Sequence, residues 1–331
     1  MKVSGFSFVR NAIELHYPVV ESITSVLPLC DEFVIAVGNC EDGTRELIRS
    51  IKDPKIKIIN TVWDPTLCVA GRIFAQQTDV ALQHCNGDWA FYIQADEVVH
   101  ERDLPVIEDQ LRHHRDDRRV EGFLFNYLHF FGDYHHVQVS HNWYAHEIRL
   151  FRTGLGVQAW HDAQGFRRGG RKLRVAHSDA SIYHYGWARP PRYLHRKGRA
   201  FAAAYAGPQA PTRTIDENAP YPYGRLWGLR RFRGSHPAVM TERVRTQDWS
   251  PYRTPPAHKH DRIGVQVLSF IENRIVGFRI GARRNFILLP DVARRQTALA
   301  WRERLSRHSD PSTSRRAPAE RRSEALSRAG T

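Results

Sequence analysis

The sequence predicts an α/β protein, a mostly parallel sheet flanked by helices with a C-terminal helical and irregular extension. Three observations carry this. From residue 1 to about 130, short β-type runs alternate with helical periodicity, the pattern of a parallel sheet wrapped by helices. Two of those runs, 33–37 and 89–93, lack polar alternation, as strands covered on both faces do. Residues 207–260 are instead rich in Pro, Gly, Tyr and Arg, which suits irregular structure laid over a core.

Taken in order, residues 3–9 form the first expected strand and 19–27 the first helix. The apolar run 33–37 ends at Gly38, and a turn over 39–43 leads into a helix at 44–51, with Thr44 or Asp42 as its cap. A third strand is expected at 55–60. Residues 71–84 read as a helix with Ile73, Phe74, Val80 and Ala81 on its apolar side. Asn86-Gly87-Asp88 turns the chain into the strand at 89–93. Further on, 122–131 and 147–151 read as strands and 190–206 as a basic helix. Residues 263–289 show helical periodicity, with Ile263, Val267, Phe270 and Ile271 among the apolar positions and Arg274, Arg279, Arg283 and Arg284 elsewhere. The division expected is a catalytic domain at 1–190, an extension at 191–300 and a basic, disordered tail at 301–331.

A chain of 331 residues, 41% of them hydrophobic, is long enough for a large core. Its 49 basic and 35 acidic residues give +14, concentrated after about residue 165. Such a surface approaches phosphorylated ligands, anionic lipid or nucleic acid. Nucleic acid is the disfavoured partner, because the basic residues are not interleaved with a recognisable binding motif. Cys30, Cys40, Cys68 and Cys85 form no Cys-x-x-Cys pair and read as free thiols in a reducing compartment. The paired histidines at 113–114 and 135–136 lack the spacing of a zinc site. The chain enters a strand at once and has no apolar run of about 20 residues. The expected location is cytoplasmic, peripheral to the inner face of a membrane.

Ligands of open parallel sheets bind at the carboxyl ends of the strands. That rule selects four loops, holding Arg10-Asn11, Glu41-Asp42-Gly43-Thr44, residues 67–72 and Gln94-Ala95-Asp96-Glu97. The last delivers two carboxylates into the crevice. Mg²⁺ or Mn²⁺ is commonly held by one or two carboxylates, with phosphate oxygens completing the shell; acidic residues after a strand equally cap a helix. No Gly-x-Gly-x-x-Gly follows the first strand, and there is no Walker phosphate loop.

In this order the four loops resemble family 2 glycosyltransferases of the GT-A (Rossmann-like) fold over residues 1–190. Phe6 to Asn11 looks like that family's first strand and donor-contacting loop. Glu41-Asp42 is similar to its acidic turn, and Gly71-Arg72 to the segment that brings a basic residue to the donor. Gln94-Ala95-Asp96 stands where the family has Asp-x-Asp. The resemblance implies an inverting hexosyltransferase, assisted by Mn²⁺ or Mg²⁺, that moves a sugar from a nucleotide-sugar donor to a hydroxyl. A saccharide acceptor, lipid-linked in envelope or polysaccharide synthesis, follows from the same likeness.

The donor-binding residues implied are Arg10, Asn11, Glu41, Asp42, Arg72, Gln94 and Asp96, and the metal ligands Asp96 and His184. Gln94 brings no charge to a metal, and Glu97 is a candidate to supply it. An inverting reaction needs a carboxylate to take the acceptor's proton. Asp162 is the first choice and Glu147 the second; either could instead pair with Arg149, Arg152 or Arg167. An inactive scaffold and a basic nucleic-acid-binding protein are the alternative functions.

Overall fold

The computed structural model describes residues 1–207, 216–281 and 284–289. The N-terminal part is the expected alternation: β1 (Val3–Val9), α1 (Val19–Val26), β2 (Glu32–Val37), α2 (Thr44–Arg49), β3 (Ile56–Asn60), α3 (Arg72–Gln83) and β4 (Trp89–Tyr92). These strands lie side by side in the order β3-β2-β1-β4, every neighbour parallel. Phe33, Ile35 and Val37 enter one apolar cluster while Val34 and Ala36 enter another on the opposite face. Burial on both faces explains why this strand reads as a continuous apolar run.

Next come β5 (Glu97–Val99), α4 (Leu104–His113), β6 (Gly122–Phe131), β7 (His136–Gln138), β8 (His146–Arg152), β9 (Val157–Trp160), β10 (Gly165–Arg168) and the long β11 (Arg171–Trp187). Here the sheet becomes mixed. β8 lies antiparallel between β4 and β6, β11 runs parallel to β6, and β5 pairs antiparallel with β11. The pairing Glu97↔His184 brings the ends of β4 and β11 together.

The basic helix is α5 (Pro191–Ala206). The carbonyls of Ala204 and Tyr205, which a helix end leaves without internal partners, accept from the amides of Gly71 and Ala70. The end of α5 is thereby fastened to the start of α3. β12 (Leu229–Arg231), α6 (Thr241–Arg245) and α7 (Ile263–Ile271) follow. The helix expected over 263–289 is shorter than its periodicity: α7 runs into a π-turn at Glu272–Val276, and Gly277, at φ +76°, ends it. Buried Glu272 accepts from the Ile280 amide and Arg279, which folds the chain back on itself. Residues Phe286–Leu288 then add strand β13, parallel to β11. The four cysteines are free. Among the described residues no helix is long and apolar enough to cross a membrane. The expected tail at 301–331 lies outside the described residues, as does Arg283.

Candidate active site

A cavity of about 440 Å³ opens at the carboxyl ends of β1 and β4, with α5 along one side. This is where a parallel sheet is expected to hold its ligand. Arg10, Asn11, Gln94, Asp96, Asp162 and His184 all line it, although they come from four separate segments.

Asp96 stands at the centre and is only 6% exposed. Its Oδ2 accepts from Lys197 Nζ at 2.9 Å and lies 3.7 Å from Arg189 Nη2, while Oδ1 lies 3.8 Å from His184 Nε2. Burial pushes its pKa up, but the charges of Lys197 and Arg189 outweigh that and hold the carboxyl below the usual range. Arg189 is fully buried over the Tyr17 ring; its Nη1 donates to the Leu15 carbonyl, and its Nε and Nη2 have no hydrogen-bond partner.

The tautomer of His184 follows from a chain of bonds. The Tyr144 carbonyl can only accept, so His129 Nε2 donates to it at 2.7 Å. His129 Nδ1 then accepts from His184 Nδ1 at 2.8 Å. Burial lowers the pKa of both rings, keeping them neutral. His184 therefore turns a lone pair at Nε2 toward Asp96. A side chain at Gly186 would collide with that imidazole and with Asp96. Asp96 Oδ1 and His184 Nε2 suit a divalent cation whose other positions go to phosphate oxygens and water. Among the described residues no third His, Cys, Asp or Glu joins them.

The remaining expected residues are placed unequally. Asp162, in the turn between β9 and β10, accepts from the Tyr205 hydroxyl at 2.5 Å and lines the cavity. Glu147 does not line it: the carboxyl lies buried behind Gln164, whose amide it accepts at 2.9 Å. Burial pushes Glu147 up to about 7. Asp42 lies outside this cavity and borders the concavity next to it. It accepts from the amides of Ile13, Glu14 and Thr44, and so shapes the loop that carries Arg10 and Asn11. Glu41 is exposed and borders a shallower concavity shared with Arg10 and Asn11.

Arg72 is exposed and outside the cavity; Gly71 (φ +71°) stands at the N-cap of α3, and it is Phe74 that turns inward. Added at Gly71, a Cβ would sit 2.7 Å from Asp162 Cβ, so this approach requires glycine. Glu97 cannot supply the charge missing at Gln94. It is turned into the core, where Arg149 donates to both its oxygens at 2.8 and 2.9 Å and the Tyr127 hydroxyl donates at 2.7 Å.

Sequence reasoning missed Lys197, Arg189 and an aromatic wall of Phe8, Trp63, Phe74 and Phe201, over which Arg10 adds a cation at 5.2 Å from the Trp63 ring. One signal for Lys197 was present. Leu194, Lys197 and Ala204 fall on one buried stripe of α5, and a lysine there needs a partner.

No family model matches the chain, and no curated protein matches it significantly. Among solved structures, S. aureus TarS is similar at 14% identity, over 61% of this chain and 39% of that one, with a TM-score of 0.37. The mannosyltransferase PcManGT from Pyrobaculum calidifontis, in complex with GDP-Man and Mn²⁺, is 18% identical over 37% of this chain and 34% of its own, at 0.29. Glucosyl-3-phosphoglycerate synthase from Mycobacterium tuberculosis, with Mn²⁺, UDP and phosphoglyceric acid, is 14% identical over 39% and 43%, at 0.27. The chain thus spans less than half the length of each of these three. The geometry of the site, and not these overlaps, carries the functional reading.

Proposed function

We propose that the chain is a glycosyltransferase of the GT-A kind that moves a sugar from a nucleoside diphosphate to a hydroxyl acceptor with inversion. The observation that carries this is the cavity floor. One buried carboxylate faces two buried cations and a neutral imidazole at the ends of β1 and β4, beneath an aromatic wall. A surplus of buried positive charge beside flat rings matches a ligand that joins an anionic group to a nucleoside and a sugar. Asp96 Oδ1 and His184 Nε2 would hold a divalent cation here, and such an ion would offset negative charge on the departing diphosphate.

Asp162 is the base of this proposal. The Tyr205 hydroxyl holds one of its oxygens and leaves the other for the acceptor hydroxyl, whose proton it takes as that oxygen attacks the anomeric carbon. Trp143, Tyr144 and Trp187 line the cavity on the side of β11 and offer faces for an acceptor sugar. α7 and the turn after it support an acceptor held at a membrane. Ile263, Phe270, Ile275 and Phe278 are each more than 60% exposed, and Arg262 and Arg274 are exposed beside them. An apolar stripe edged by arginine fits an anionic lipid surface, as a lipid-linked acceptor in envelope or polysaccharide synthesis would require.

The test is turnover of a panel of UDP-, GDP- and dTDP-sugars by the full chain, read as released nucleoside diphosphate. Asp162→Asn should lower turnover by roughly 10²- to 10⁴-fold while leaving donor affinity unchanged. Absence of turnover across the panel and a range of saccharide acceptors would sink the proposal.

A further inference from the structure

We propose that Lys197, backed by Arg189, is the group that grips the donor's diphosphate, and that donor binding here needs no divalent cation. This rests on the transferase reading and names how its donor is held.

An ammonium carries three N–H donors. Two of them at Lys197 are used, on Asp96 Oδ2 and on the Gly186 carbonyl, both at 2.9 Å. The third remains, and the side chain lines the cavity. Its position is enforced. The rings of Tyr17, Trp187 and Phe201 stand 5.4, 5.3 and 5.1 Å from Nζ, and the residue is 3% exposed. An ammonium boxed in this way cannot swing out to water.

The local charge is unbalanced. Lys197 and Arg189 bring two positive charges to the single negative charge of Asp96. Arg189 also keeps its Nε and Nη2 buried without a hydrogen-bond partner. Burying a surplus cation with unmet donors is unfavourable unless an anion completes the cluster. A diphosphate in the cavity would meet the free N–H of Lys197 directly, with the charge of Arg189 behind it, and charge-assisted bonds to phosphate are the strong ones. Cation chemistry for binding is therefore built into the chain. A divalent ion at Asp96 Oδ1 and His184 would bear on turnover instead.

The experiment is calorimetric titration of UDP and of GDP into the full chain, in EDTA and in Mn²⁺. We expect one of the two nucleotides to bind in both buffers with affinities within about threefold. Loss of one hydrogen bond to a charged group in Lys197→Gln should weaken binding about 10- to 100-fold. Binding in Mn²⁺ that EDTA abolishes would overturn the inference and leave the transferase reading standing. Failure of both nucleotides in both buffers would overturn the two together. A folded Lys197→Gln that binds as tightly as the parent would also overturn it, and if that variant fails to fold, the buffer comparison on the parent decides alone.

Discussion

Asp96 and Glu97 are neighbours in sequence and both are buried carboxylates, yet their surroundings differ in kind. Glu97 is finished. Arg149 meets both oxygens, Tyr127 adds a hydroxyl and the Gln94 amide a fourth donor, with neither charged side chain exposed. Asp96 is unfinished: it lines an open cavity with Lys197 bonded to it, and buried Arg189 stands 3.7 Å behind with two nitrogens that lack a hydrogen-bond partner. A closed polar network specifies a core, whereas an open one with surplus charge awaits a ligand. The same contrast separates Asp162, which reaches the cavity, from Glu147, which is sealed behind Gln164.

The comparison can be broken most sharply at the finished pair. Glu97→Gln leaves the guanidinium of Arg149 buried without a counter-charge, and arginine cannot shed its proton. We expect a loss of about 3–5 kcal/mol in unfolding free energy, measured by urea denaturation. Asp96→Asn should cost less, because Lys197, lowered to about 8, can become neutral, and Arg189, 3.7 Å from Asp96, has no hydrogen bond to it to lose. Equal losses for the two variants would dissolve the distinction.

Glu147 gives a smaller effect, with a defined direction in pH. Its pKa rises from 4.5 unfolded to about 7 folded, so the folded chain binds the extra proton between those values and stability falls as pH rises through that window. Keeping the carboxyl ionised costs about 3 kcal/mol. Glu147→Gln should therefore stabilise the protein by up to about that amount at pH 8. The gain should shrink toward zero as pH falls to 4.5, as paired denaturation curves would show. A gain independent of pH would contradict the burial account.

The smallest effect on stability is expected at α7. Asp at Ile263 and Phe270 should change unfolding by no more than about 0.5 kcal/mol each, since both side chains already face solvent. Sedimentation with anionic vesicles should fall sharply for the double variant. Unchanged sedimentation, or none by the parent chain, would remove the membrane from the proposal.

Much of the fold was legible because burial on both faces leaves a direct trace in sequence. The runs ending at Val37 and Ile93 announce central strands, and the rule for strand ends then finds Arg10, Gln94 and Asp96. Which way Glu97 points was not legible. Adjacent strand residues face opposite sides, and only the pairing of β5 with β11 settles the phase. A hint lay elsewhere: Arg149 sits between Ile148 and Leu150 in the middle of β8, and a buried arginine demands a buried carboxylate. Lys197 and Arg189 were hidden for a different reason. Their meaning arises from contact with a residue about 100 positions earlier, which no local pattern encodes. The helix expected over 263–289 failed because periodicity continues past Gly277 while the backbone does not.

The central claim is that the cavity over Asp96 holds a nucleoside diphosphate sugar. Its most direct measurement is the thermal shift of the full chain with UDP-, GDP- and dTDP-sugars, using a CMP-sugar, which lacks the diphosphate, as the control. At a ligand concentration 100 times Kd, binding adds about 2.7 kcal/mol to the folded state. One diphosphate donor should raise Tm by several degrees while the CMP-sugar leaves it in place. No shift with any diphosphate donor, or an equal shift with the CMP-sugar, would contradict the account.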